Sequence, residues 1–436
     1  MTTVAEVRMW GRTIGAVSMA DGEDFAAFEY DPAFARSGIE IAPLTMPLTR
    51  SVYTFPELSR QTFHGLPGLL ADSLPDKFGN ALINAWLASQ GRQPNSFNAV
   101  ERLCYTGVRG MGALEYAPAT GPKGRQATPI QIEKLVALAS EILSHRNKLS
   151  ASFGEAYRAD AFKDILRIGT SAGGARAKAI IAWNPSTNEV RSGQLPAGDG
   201  FEYWLMKFDG VSGNRDKERE EDPSGYGLIE YAYAKMAADA GITMSDCRLF
   251  EENNRHHFMT RRFDRLDGNK KLHMQSLCAL AHYDFNRAGA YSYEQALLVI
   301  RQLGLPMSAI EELFRRMVFN IVARNQDDHV KNIAFLMDKS GNWSLAPAFD
   351  MTYSFNPSGS WTATHQMTVN GKRDDFTLED FKACARSASM KRGRAESILK
   401  EVRETVARWR EYADEGGVPA SWRDQIHKTI RLKTWR

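Results

Sequence analysis

The feature that most restricts how this chain can fold is a knot of polar residues set between two apolar elements. From Phe319 to Phe355 it reads F-N-I-V-A-R-N-Q-D-D-H-V-K-N-I-A-F-L-M-D and, a few residues on, W-S-L-A-P-A-F-D-M-T-Y-S-F. Leu313, Met317, Val318, Ile321 and Val322 recur at helical spacing, and the pattern stops at Asn325. The polar run Asn325 to Asn332 gives way to Ile333-Ala334-Phe335-Leu336-Met337, an apolar segment of strand length. The spacing therefore predicts a buried helix, a loop and a strand. Asp327 stands five residues before Asn332, and Asp350 follows eighteen residues later, at the end of the apolar stretch Trp343 to Phe349.

Two carboxylates and a carboxamide brought to one cleft by apolar elements are suitable oxygen ligands for Mg²⁺. That hard cation takes one or two protein carboxylates and completes its shell with water and substrate phosphates. Phosphoryl transfer also needs a carboxylate that accepts the proton of the attacking hydroxyl. The protein-kinase loop H-R-D-x-x-x-x-N supplies this Asp and a metal-binding Asn five residues on, and a later D-F-G supplies a second metal ligand. Asp327 and Asn332 keep that spacing, and Asp350 occupies the place of the later aspartate. Asp and Asn also cap turns and helix ends, so each alone has an ordinary structural explanation; their grouping favours a site.

D-D-H-V-K-N with L-A-P-A-F-D-M downstream resembles the signature of the HipA family, the serine/threonine kinase toxins of bacterial type II toxin–antitoxin modules. The family pattern is D-x-H-x-K-N followed by L-x-P-x-Y-D. The resemblance implies Asp327 as catalytic base, Asn332 and Asp350 as Mg²⁺ ligands, and His329 and Lys331 in the nucleotide pocket. Phe349 replaces the usual Tyr, losing a hydroxyl and keeping the ring.

The 436 residues are enough for two or three domains, and 43% hydrophobic and 25% charged residues are ordinary for a soluble protein. A net charge of +3 means that any anionic partner is met by a local patch, not by the whole surface. Cys104, Cys247, Cys278 and Cys384 lie more than thirty residues apart, too far for a compact zinc motif, and fit reduced thiols. No signal-like N-terminus and no apolar run approaching eighteen residues is present, so the expectation is a cytoplasmic protein with no membrane association.

Val4 to Trp10, Ile14 to Met19 and Phe25 to Tyr30 read as strands joined by turns at Gly11-Arg12 and Asp21-Gly22. Phe63 to Gln90 begins as a loop with short helical turns and ends as an amphipathic helix from Ala81; its L-L-A-D-S-L-P-D-K-F-G is similar to an element of the HipA family. Arg109-Gly-Met-Gly-Ala-Leu114 lacks a Walker context, which favours a packing or turn role. Residues 117 to 128 read as a linker, with a helical segment from Ile130 to Leu149 beyond.

In L-R-I-G-T-S-A-G-G-A-R-A-K, Gly173-Gly174 allows backbone N–H groups to approach phosphate, and Lys178 adds a point charge; a plain β-turn is an equally good reading of the motif alone. Strand-like segments on both sides, Ile165 to Ile168 and Ala179 to Trp183, give the layout of a kinase phosphate loop. The family carries S-x-x-G-x-Q-x-K here. The resemblance implies that Gly173, Gly174, Ala175, Arg176 and Lys178 bind ATP, and that Ser171 is an autophosphorylation site that silences the kinase. Arg176 stands where many members have Gln, and Thr170 is a second hydroxyl, so the acceptor is left open between Ser171 and Thr170.

Lys207 lies inside the apolar strand Tyr203 to Phe208, where a charge is costly unless it is paired or binds an anion. It falls at the family's ATP-phosphate lysine. The helix Tyr226 to Ala240 follows a charged loop, Asn214 to Asp222, and offers Glu230 as partner to Lys207. M-T-R-R-F-D-R resembles the family's V-E-R-F-D-R hinge, implying adenine contacts at Arg261 and Phe263, although Arg261 replaces Glu. His273-Met-Gln-Ser departs from the family's H-x-E-D at Gln275 and Ser276.

Helical spacing recurs over Tyr293 to Leu303, Ala309 to Ala323, Leu378 to Arg386, Arg394 to Tyr412 and Ser421 to Leu432, with a hairpin expected near Thr364 to Lys372. The basic stretches Met390 to Ala395 and Arg423 to Arg436 read as solvated helix faces or as operator-DNA contacts. The resulting expectation is a two-lobed kinase-like α+β fold. Residues 1–120 would form an extra N-terminal subdomain, 121–265 the ATP-binding part of the N-lobe, and 266–436 a helical C-lobe. ATP and Mg²⁺ are the implied cofactors, with a helix-turn-helix antitoxin (HipB-like) and a translation-component substrate, for instance an aminoacyl-tRNA synthetase, as partners. The competing expectations are a metal-dependent nuclease using Asp327, Asp328, His329 and Asp350, and a catalytically idle co-repressor.

Overall fold

The computed structural model describes residues 2–94, 96–121, 129–144, 176–211, 225–266 and 270–433. The alternating N-terminal segments become β1 (Thr2–Met9), β2 (Arg12–Ala20) and β3 (Ala27–Tyr30), antiparallel neighbours in a five-stranded sheet. β4 (Val52–Tyr53) and β5 (Leu114–Ala117) complete it in the order β4-β3-β2-β1-β5. Alternation places Ala5, Val7 and Met9 of β1 in the core, as a period of two requires. The helix Lys77–Ser89 starts four residues before the apolar periodicity, because the Asp76 side chain accepts the Gly79 N–H at 2.6 Å and caps it.

A second five-stranded sheet has the order β7-β6-β8-β10-β9, built from β6 (Lys178–Trp183), β7 (Val190–Ser192), β8 (Glu202–Lys207), β9 (Cys247–Glu252) and β10 (Arg255–Arg261). The helix Tyr226–Asp239 packs on it, with Glu230 buried. β11 (Arg265–Leu266) and β12 (Lys270–Lys271) pair next. β13 (His273–Ser276), β14 (Ala334–Met337) and β15 (Trp343–Leu345) form a small sheet at the start of the helical part.

The helix Met307–Val322 is the spine of that part, with Ile310, Leu313, Phe314, Met317, Val318, Ile321 and Val322 all buried. Its apolar cluster runs on without interruption to the N-terminal sheet, including Ala5, Val7, Phe28 and Leu70. A separate cluster joins Phe78 and Leu82 of the helix Lys77–Ser89 to Leu135, Ile181, Trp204 and Met206. The N-terminal unit is thus packed on both lobes of a two-lobed kinase-like α+β fold. No helix among the described residues is long and apolar enough to cross a membrane.

Two sequence expectations are corrected. The single helix Arg394 to Tyr412 is two, Arg394–Val406 and Trp409–Glu415. The break lets the Trp409 indole reach the Arg423 carbonyl at 2.9 Å while its ring meets Tyr233. The hairpin near Thr364 to Lys372 is reduced to a turn in which Val369 and Lys372 exchange backbone hydrogen bonds. Beyond it the His365 N–H still crosses to the Arg373 carbonyl at 3.1 Å, but Gln366 N–H goes to Asp328 and Thr368 N–H to Tyr291. The glycine-rich loop has the packing role: Gly112 N–H donates to the buried Asp264 at 2.7 Å, and a Cβ at Gly112 would stand 2.9 Å from the Met274 nitrogen.

Candidate active site

The polar knot leaves its helix through a left-handed residue, Arg324 (φ 60°), after which Asn325 N–H returns to the Asn320 carbonyl at 2.9 Å. The two aspartates that follow have different fates. Asp328 is buried and accepts from Tyr293 Oη at 2.9 Å and Gln366 N at 2.8 Å, with His365 Nδ1 at 2.9 Å. Burial alone would raise its pKa, but His365 and these hydrogen bonds hold it below the usual carboxylate value. Asp327, by contrast, stands partly open, with the Trp361 indole Nε1 donating to Oδ1 at 2.6 Å. His329 Nε2 lies 3.9 Å from the same oxygen. Asn332 turns its amide nitrogen onto the Asp327 carbonyl at 3.0 Å, which fixes the loop and turns Oδ1 the other way.

Asp350 also has left-handed backbone (φ 53°), and the Asn325 amide donates to its carbonyl at 3.3 Å. Non-glycine residues seldom adopt this conformation unless their surroundings impose it. Here the Asp350 carboxylate accepts a hydrogen bond from Lys207, which also donates to Glu230 at 2.5 Å. Burial works against the Lys207 ammonium, but Asp350 and Glu230 together outweigh it and raise its pKa. Burial likewise penalises the Asp350 carboxylate, and the lysines Lys207 and Lys178 overcome this to hold it at about 2.

Lys178 and Lys207 are directly opposed across β6 and β8, so two ammonium groups share one face of the sheet. Like charges in that register repel unless neutralised. Asp76, from the N-terminal unit, stands 3.6 Å from Lys178 Nζ, both side chains buried. Burial raises the Asp76 pKa, with Lys178 pulling the other way. Arg176 stacks over the Tyr226 ring at 3.8 Å and lies near enough to Lys207 to oppose its charge.

At the end of the same sheet, Phe263 and Phe349 bring their rings to 5.8 Å beside Ala334, Leu336 and Ala346, an apolar wall of the kind that accepts a flat ring. Arg261 instead points to solvent and pairs with Asp246 at 3.3 Å; its backbone N–H is taken by the Asp246 carbonyl. Lys331 sits 5.1 Å over the Phe285 ring, which also meets His329. His329 Nδ1 is buried with no hydrogen-bond partner among the described residues, a group available to a ligand. Thr170, Ser171, Gly173, Gly174 and Ala175 lie outside the described residues, as do the expected strand Ile165 to Ile168 and the loop Asn214 to Asp222.

Three participants were missed in the sequence, and a fourth, Asp328, was weighed only as a metal ligand of the nuclease alternative. Asp328 and His365 form the buried anchor, Trp361 holds Asp327, and Asp76 pairs with Lys178. Only Asp76 carried a signal, as part of L-P-D-K-F-G. The departure at Gln275 and Ser276 also acquires a use: Ser276 N and Oγ both donate to Asp72, at 2.6 and 2.9 Å. No group of three His, Cys, Asp or Glu suited to a metal occurs among the described residues. A carboxylate at Asp350 and a carboxamide oxygen at Asn332 nevertheless fit Mg²⁺, which draws most of its ligands from water and phosphate.

Comparison with known proteins places these features in a family. The sequence model of the HipA-like C-terminal domain matches residues 170–409, and that of the HipA N-terminal domain matches residues 5–117. A protein of Haemophilus influenzae named "Putative kinase" is 25% identical over 159 residues, 33% of this chain and 46% of that protein; the match thus spans about half of the relative's length. Among solved structures, the fold is similar to a chain of the Shewanella oneidensis MR-1 toxin–antitoxin complex of HipA, HipB and operator DNA. The TM-score is 0.67 and the identity 18%, over 97% of this chain and 96% of that one.

Proposed function

Because the chain belongs to the HipA family, we propose that it is an ATP-dependent serine/threonine kinase, the toxin of a type II toxin–antitoxin module. The observation that carries this reading is the joining of Lys207, Glu230 and Asp350 in one ion-pair cluster beside the loop that bears Asp327. Such a cluster suits nucleotide phosphates: Lys207 and Lys178 supply positive charge, and Glu230 keeps Lys207 extended into the cleft. The Phe263 and Phe349 wall receives the adenine, and His329 and Lys331 line the pocket from the catalytic loop. Asp327 accepts the proton of a Ser or Thr hydroxyl as the γ-phosphate transfers. Mg²⁺, held by Asp350 and Asn332, would neutralise charge developing on the phosphates.

The remaining parts of the proposal follow the family. Ser171 or Thr170 is the autophosphorylation site, and a translation component such as an aminoacyl-tRNA synthetase is the substrate. The partner is a HipB-like helix-turn-helix antitoxin, with weak or indirect operator-DNA contact, in the cytoplasm. We place the divisions at 1–120, 121–265 and 266–436. The nuclease alternative loses support because Asp328 is committed to Tyr293, His365 and Gln366 within the core. Expression in a bacterial host tests the reading: wild type should arrest growth, and Asp327→Ala should not. Arrest by Asp327→Ala at equal protein level would contradict it and favour the co-repressor or another toxin.

A further inference from the structure

Trp361 belongs to no motif, yet its indole N–H meets the Asp327 carboxylate at 2.6 Å. The segment that carries it is fastened at several points. The Gln366 side chain donates to the Trp361 carbonyl at 2.6 Å, and its nitrogen is also 3.2 Å from the Gln326 carbonyl. Gln366 N–H and His365 Nδ1 both meet Asp328, at 2.8 and 2.9 Å. The segment that carries Trp361, through His365 and Gln366, and the loop that carries Asp327 are therefore both tied to the buried Asp328 carboxylate.

An aspartate on a loop can rotate about two side-chain torsions, and a base catalyses only from the rotamer that reaches the hydroxyl. We propose that Trp361 is a positioning residue for phosphoryl transfer, resting on the assignment of Asp327 as base. Its N–H, a donor to a charged acceptor, pins Oδ1 and so fixes the direction in which the carboxylate faces the acceptor hydroxyl. The indole thereby also becomes a wall of the acceptor site. A gate that blocks the base would need a segment free to swing away, and the clamps through Gln366 and His365 argue against one.

The test measures steady-state phosphorylation of a generic Ser/Thr protein acceptor by full-length wild type, Trp361→Phe and Trp361→Ala. The phenylalanine variant keeps a ring and removes the donor. The expected result is a kcat lowered about tenfold in both variants, the scale of one charge-assisted hydrogen bond, with the KM for ATP within about twofold of wild type. Wild-type kcat in Trp361→Phe would reduce Trp361 to packing, and a raised kcat would make it a gate; either overturns the proposal. A fall in kcat matched by an equal rise in the KM for ATP would indicate a disordered site and overturn it too. Absence of transfer by wild type, with ATP binding also absent, would instead overturn the kinase reading, and this inference with it.

Discussion

Asp327 and Asp328 show how much burial can separate two identical neighbours. Their sequence context made both candidates for chemistry; only their surroundings distinguish a half-open carboxylate from one committed to three partners in the core. Removing a buried charge leaves its donors unpaired, so Asp328→Ala should cost ~3–5 kcal/mol of stability, read as a lowered urea midpoint. Asp327→Ala should leave that midpoint within ~0.5 kcal/mol of wild type while removing transfer. The Lys207–Glu230 pair was legible because a lysine inside an apolar strand requires a partner, and the next helix offered a glutamate. Trp361 and His365 were not legible, since each acts through a contact made far along the chain.

At the scale of elements, the N-terminal strands and the spine helix were readable from periodicity, because each buries one face against a continuous core. Periodicity failed where two helices follow in phase: nothing between Arg394 and Tyr412 breaks the pattern, and the turn at Ala407–Arg408 answers to Trp409's place in the core. The glycine-rich loop near residue 110 illustrates tertiary constraint on a short motif. Gly112 has φ 73° and donates to Asp264, whose charge is held by Arg262 and Arg265. Gly112→Ala should destabilise by ~1–3 kcal/mol through left-handed strain and the contact at Met274, seen as a lower thermal midpoint. An unchanged midpoint would mean that the loop shifts freely.

For the whole molecule, the fold class was legible, and the convergence of its parts was not. No local pattern reveals that Asp76 of the N-terminal unit meets Lys178 of the second sheet. The shared core also makes stability depend on pH as a single property. Burial holds His273 and His282 at about 4, below the ordinary histidine value. Between about pH 6.5 and 4 the unfolded chain then binds more protons than the folded one, so stability falls as pH falls through that window and levels below it. Urea midpoints at pH 7.5 and 5 should differ in that direction, and His273→Gln should narrow the gap; an unchanged gap would remove His273 as a cause. The most direct test of the central claim is the intact mass of the purified protein, with and without ATP and Mg²⁺, beside Asp327→Ala and Ser171→Ala. The account predicts a gain of one phosphate in wild type, mapping to Ser171 or Thr170, and none in Asp327→Ala. No gain in any sample, together with no ATP binding, would contradict it.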